Sequence, residues 1–194
     1  MLTDALLVPT GVVALAEIGD KTQLLAFVLA ARFKRTWPIV LGILAATVLN
    51  HALAGLLGAL VARFIGPELL RWVLGLSFIV MAGWILVPDK IDDEAAGAVT
   101  NHGVFLATAI SFFLVEMGDK TQLATVALAA HYNAPLLVVI GTTLGMLVAD
   151  VPAVFVGDRL GQRLPVRAIH LVAALVFAAL GVATLVGAGK SVGL

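Results

Sequence analysis

Two short charged runs constrain this chain more than anything else in it. Glu17-Ile18-Gly19-Asp20-Lys21-Thr22-Gln23 sits inside an apolar stretch running from about Leu6 to Phe33, and it recurs as Glu116-Met117-Gly118-Asp119-Lys120-Thr121-Gln122. Each stretch is long enough to cross a bilayer, where a single Asp, Lys or Arg costs about 2.5–3.5 kcal/mol. Six such charges, simply added, would cost roughly 15–20 kcal/mol. That exceeds the ~5–15 kcal/mol by which whole domains are usually stable. The charges must therefore face one another, water or a bound ion rather than lipid, and a site that costly points to function.

The bulk composition agrees with a polytopic membrane protein. It is 61% hydrophobic and 12% charged, against roughly 25% charged residues in soluble domains. Apolar runs predict helices at about 6–31, 37–61, 69–87, 104–130, 136–156 and 168–187. Six spans and short loops leave no room for a soluble domain. The start, Met1-Leu2-Thr3-Asp4, lacks the basic region of a secretory signal, so the first segment is expected to be a retained helix. No cysteine is present, which removes disulfides, iron–sulfur clusters and thiolate ligands. The remaining donors are carboxylates, amides, hydroxyls, carbonyls and four histidines, an inventory that suits hard cations. Zero net charge and the lack of a basic stripe argue against a nucleic-acid partner.

At an offset of 99 residues the two halves superpose without a gap. From Glu17 to Phe33 against Glu116 to Tyr132, ten of seventeen positions are identical, and the polar run is among them. The same offset pairs Gly42 with Gly141 and Ala46 with Gly145, a small-residue patch suited to close helix packing. The expected domains are a three-helix repeat at 1–88, an acidic linker at 89–102 and a second repeat at 103–194. Three is odd, so the second repeat enters the membrane from the opposite side. The expected fold is therefore all-α, with six transmembrane helices in two inverted three-helix repeats whose motifs meet near the midplane. The linker, with Asp89, Asp92, Asp93 and Glu94 against Lys90, reads as a solvated loop or as a funnel that concentrates cations.

On a regular helix Glu17, Asp20 and Lys21 fall within one 100° arc, with Gln23 60° beyond Asp20. Together with Glu116, Asp119 and Gln122, four carboxylates and two amide oxygens could surround one ion, enough for Ca²⁺ or Mn²⁺. The glycine inside each motif weakens the helix there and offers a place to unwind. The competing structural reading pairs Lys21 with Glu17 and Lys120 with Glu116, one turn back. Even so, four acids face two bases, and the excess calls for a cation or protons. The lysines could tune the acids, stand in for a cation, or snorkel. Asp150 and His51 occupy equivalent positions in the two repeats and form a possible proton pathway, or a helix-packing hydrogen bond. His102, His131 and His170 fall at span edges and read as interfacial.

At these residues the chain resembles a known family. The doubled E-x-G-D-[K/R]-[T/S] signature, three helices per half and an acidic central loop are similar to the small cation exchangers that include Golgi manganese and calcium transporters and bacterial MneA-type manganese exporters. The resemblance covers essentially the whole chain, and both motifs match without departure. It implies export of Mn²⁺, or Ca²⁺, in exchange for protons, with the motif acids as ligands, the metal as cargo rather than cofactor, and a bacterial plasma membrane location. The other classes weighed are a carrier of amino acids or other organic ions, and an intramembrane aspartyl protease built on Asp20 and Asp119. The protease needs a G-x-G-D element, but Glu17 and Glu116 stand where its first glycine belongs.

The Lys and Arg counts set the expected orientation. Arg32, Lys34, Arg35, Lys90, Arg159, Arg163 and Arg167 fall on one side, and Arg63, Arg71 and Lys190 on the other, which puts both termini outside. A cysteine introduced at position 96 should be protected from an impermeant thiol reagent in intact cells, and one at position 193 should be labelled. The opposite pattern would reverse the orientation, and labelling of both would break the six-span arrangement.

Overall fold

The computed structural model describes residues 2–87, 103–156 and 166–187. The acidic linker with His102, and residues 157–165 with Arg159 and Arg163, lie outside them. The described residues form eight helices and no strand: α1 (Asp4–Glu17), α2 (Lys21–Phe33), α3 (Thr36–Phe64), α4 (Pro67–Trp84), α5 (Gly103–Glu116), α6 (Lys120–Tyr132), α7 (Pro135–Val156) and α8 (Val166–Leu185). Helices α3, α4, α7 and α8 are each long and apolar enough to cross a membrane, and their ends agree with the expected spans within three residues.

The other two expected spans, 6–31 and 104–130, are not continuous helices. Each breaks inside its motif, at Gly19 with φ +85° and at Gly118 with φ +80°. Right-handed helix cannot pass through that region, and glycine enters it without the steric cost a Cβ would bring. Asp20 and Asp119 follow with extended backbones, ψ 169° and 171°, and begin the next helices. The regular 100° spacing therefore does not run across the motif. The pieces, of 13 and 14 residues, are each only about 20 Å long, short of the ~30 Å hydrocarbon core.

The sequence repeat reappears in the local structure. Lys34 ends α2 and Asn133 ends α6, both left-handed, with φ 52° and 49°, and they are 99 residues apart. Helix α1 packs along α7, and its counterpart α5 packs along α3. Glycine makes both approaches possible. A Cβ on Gly42 would lie 2.7 Å from the Phe105 carbonyl oxygen, and one on Gly141 would lie 2.5 Å from that of Leu6. Phe105 and Leu6 are themselves repeat equivalents. Helices α4 and α8 cross at Phe78 and Phe177, again equivalents, with ring centroids 6.2 Å apart and both side chains fully buried.

Two apolar clusters flank the motifs. One joins α4, α6 and α8 with parts of α1 and α7 around Phe78, Leu128 and Phe177. The other joins α2, α3, α5 and the end of α7 around Leu25, Ile43 and Phe112. Large apolar side chains such as Leu49, Leu56, Val80 and Phe155 cover the outside, as expected where the solvent is lipid. The charged motifs are the inside, the reverse of a water-soluble domain.

The glycine contacts carry a stability prediction. Gly141→Ala and Gly42→Ala should each destabilise the purified protein by about 1–3 kcal/mol, the usual cost of overpacking, read as a lower thermal midpoint. Gly11→Ala, which would meet nothing within 4 Å, should not lower it.

Candidate cation-binding site

The two breaks bring the ends of four half-helices into the bundle. Glu17 closes α1, Glu116 closes α5, and Asp20 and Asp119 open α2 and α6. All four carboxylates are buried, none more than 4% exposed. The N-terminal ends of α2 and α6 place positive helix dipoles beside Asp20 and Asp119. Asp119 Oδ1 accepts from the Lys120 backbone N–H at 2.6 Å.

Each glutamate is held in the same way. Thr22 Oγ1 donates to Glu17 Oε2 at 2.6 Å, and Thr121 Oγ1 donates to Glu116 Oε2 at 3.2 Å. The other oxygen, Oε1, of both glutamates is buried without a hydrogen-bond partner among the described residues. The threonines therefore orient one lone pair set and leave the second oxygen directed into the interior.

The lysines cross between the motifs. Lys21 Nζ lies 3.4 Å from Asp119 Oδ2, and Lys120 Nζ lies 3.6 Å from Asp20 Oδ1. The expected pairing one turn back, Lys21 with Glu17 and Lys120 with Glu116, assumes an unbroken helix, and the glycine turn removes the turn it requires.

Gln23 and Gln122 clamp the breaks. The Gly19 N–H donates to Gln23 Oε1 at 2.9 Å, and the Gly118 N–H donates to Gln122 Oε1 at 2.7 Å. Their amide nitrogens reach the other repeat: Gln23 Nε2 donates to the Ala149 carbonyl at 3.0 Å, and Gln122 Nε2 donates to Asn50 Oδ1 at 3.4 Å. Positions 149 and 50 are equivalents. Asn50 in turn donates to the Phe113 carbonyl at 3.1 Å.

Asp150 joins the acidic group from α7. It is fully buried, neither oxygen has a hydrogen-bond partner among the described residues, and it interacts electrostatically with both Glu17 and Glu116. His51, its counterpart on α3, is also fully buried, with neither ring nitrogen bonded among the described residues. No three acidic or histidine side chains among the described residues converge closely enough to chelate one ion. Coordination by the expected set therefore requires these side chains to move closer together.

Some contacts were not foreseen. Thr22 and Thr121 recur in both motifs, and that recurrence was the available signal for their role. Asn50, a polar residue inside an apolar span beside His51, was another. His170 gave no such signal: its Nε2 donates to the Ile18 carbonyl at 2.8 Å, satisfying backbone freed by the first break.

Ionisable side chains buried at two broken helices inside an apolar bundle are the hallmark of membrane transport proteins of the secondary-transporter class. Comparison narrows the class. The family model "Divalent cation/proton antiporter GDT1" matches residues 5–93 and again 104–191, and the chain belongs to that family. It is thus an integral membrane transporter and not an enzyme, and the divalent cation is its substrate. A Vibrio cholerae protein named "Putative manganese exporter" is 50% identical over 173 residues, covering 89% of this chain and 86% of that protein. A GDT1-like protein of Synechocystis is 28% identical, covering 85% and 88%, and rice GDT1-like protein 3 is 30% identical, covering 91% and 71%. No solved structure matches.

The break itself is testable. Gly118→Ala should cost about 1–2 kcal/mol by forcing a side chain into the left-handed region, although a Cβ there would meet nothing within 4 Å. Gly118→Asn should be milder, because asparagine tolerates that conformation. Equal thermal midpoints for the alanine variant and the native protein would argue against the turn.

Proposed function

We propose that the chain exports Mn²⁺ from the cytoplasm in exchange for protons across a bacterial plasma membrane, with both termini outside. The observation that carries this reading is a charge imbalance in the interior. Among the described residues five buried acids, Glu17, Asp20, Glu116, Asp119 and Asp150, share two lysines, Lys21 and Lys120. Excess negative charge in a low dielectric is tolerated only with cations or protons bound. An exchanger supplies one or the other at every stage of its cycle.

In this reading α1 with α2 makes one crossing and α5 with α6 another, giving six crossings as two inverted repeats. The equivalent contacts at Gly42 and Gly141, and the Phe78–Phe177 pair, support it. Glu17, Asp20, Glu116 and Asp119 bind the metal, with the partnerless Oε1 atoms of the glutamates the most available ligands. Gln23 and Gln122 would contribute through the second lone pair of oxygens already clamping the breaks. Asp150 and His51 form the proton path. Protons and metal compete for the same oxygens, so each expels the other as the repeats rock.

The name of the Vibrio cholerae relative supports manganese. Calcium remains the second reading, since oxygen donors of this kind suit both ions.

In proteoliposomes loaded with Mn²⁺, an inward proton gradient should accelerate efflux at clamped membrane potential, and apparent Mn²⁺ affinity should weaken as pH falls. Efflux indifferent to the gradient would make this a channel or uniporter. Glu17→Gln and Asp119→Asn should each abolish transport of both Mn²⁺ and Ca²⁺ while the protein still reaches the membrane. Full transport by both variants would remove the ligand assignment.

A further inference from the structure

We propose that Lys21 and Lys120 are tethered counter-cations, each holding the other motif's aspartate until a divalent cation displaces it, with Lys21 displaced first. This rests on the carboxylates being the metal site.

The crossed geometry is the first ground. Lys21 bridges to Asp119 and Lys120 to Asp20, so each ammonium neutralises an aspartate of the other motif. At 3.4 and 3.6 Å these contacts are longer than the ~2.7–2.9 Å of a strong charge-assisted hydrogen bond. They neutralise charge without the tight geometry that would make them hard to break. A cation coordinated by Asp20 or Asp119 would sit about 2–2.6 Å from the oxygen, close against an ammonium of like charge. The two cannot share one carboxylate comfortably, and the ammonium, on a flexible stem, is the one able to leave.

The second ground is a difference between the halves. Lys120 Nζ also donates to the Val87 carbonyl at 3.3 Å, just beyond the end of α4, and its side chain is 3% exposed. The equivalent of Val87 is Val186. Lys21 makes no matching bond to it among the described residues, and its side chain is 22% exposed. Lys120 is thus fixed at two points away from solvent, whereas Lys21 has an open way out. Displacement begins where the tether is single and water is within reach.

The test uses the full chain in lipid nanodiscs with Mn²⁺ as the probe. Binding is followed by the resonance signal of free Mn²⁺, and amine modification of each lysine by mass spectrometry. On saturation with Mn²⁺, Lys21 should become several-fold more reactive, Lys120 less so, and the surface Lys34 not at all. Lys21→Gln should tighten Mn²⁺ binding by about tenfold, the scale of removing one like charge within reach of the site, while Lys21→Arg should restore native affinity. A lysine with a merely structural role would show no metal-dependent reactivity. Unchanged reactivity of Lys21, or Lys21→Gln binding no tighter than the native chain, overturns the proposal; if that variant fails to fold, the reactivity of the native chain decides alone. Native protein that binds no Mn²⁺ removes the metal-site reading itself, and binding without a lysine response removes only the tether.

Discussion

Everything in this structure depends on keeping charge inside an apolar bundle. The pairs Lys21–Asp119 and Lys120–Asp20 join the two halves at their most expensive residues. Leaving either charge alone in such a place would be strongly destabilising. The halves therefore cannot separate at this point without exposing ions to lipid or filling the gap with water. The crossed pairs bind the repeats together and still leave acids in excess at the centre.

The breaks at Gly19 and Gly118 make that arrangement reachable. An unbroken helix would turn Lys21 toward its own Glu17 and close each motif on itself. The left-handed glycine followed by an extended aspartate redirects the lysine to the other half. Breaking a helix in a membrane exposes backbone groups that need partners, and here the partners come from the motif and its neighbours. Gln23 and Gln122 take the glycine N–H groups, and His170 takes the Ile18 carbonyl.

Much of this was legible in the sequence, for identifiable reasons. The 99-residue repeat, the intramembrane carboxylates and the four long helices follow from hydropathy and from the cost of charge in lipid, both local properties of the chain. The glycines signalled weakness in the first and fourth spans, but a φ value is a tertiary choice, so the break was open rather than fixed. Crossed lysine pairing was not legible, because it depends on which way the chain leaves the turn. The glutamine clamps escaped for the same reason: as candidate ligands they were assigned to an ion, whereas the broken backbone claims their oxygens first. The bond of His170 was not legible either, because a histidine near a span edge shows nothing in sequence of the carbonyl it meets 152 residues away.

The clamps that reach between halves are not made of the same material. Gln23 rests on the backbone carbonyl of Ala149, whereas Gln122 rests on the side chain of Asn50. A main-chain oxygen is present whatever residue occupies position 149, so that anchor is immune to substitution except through bulk. The other exists only while position 50 carries an acceptor of the right length. Two motifs that differ only at Ile18 and Met117 thus acquire unequal mutational fragility, with substitution tolerated at one anchor and confined at the other.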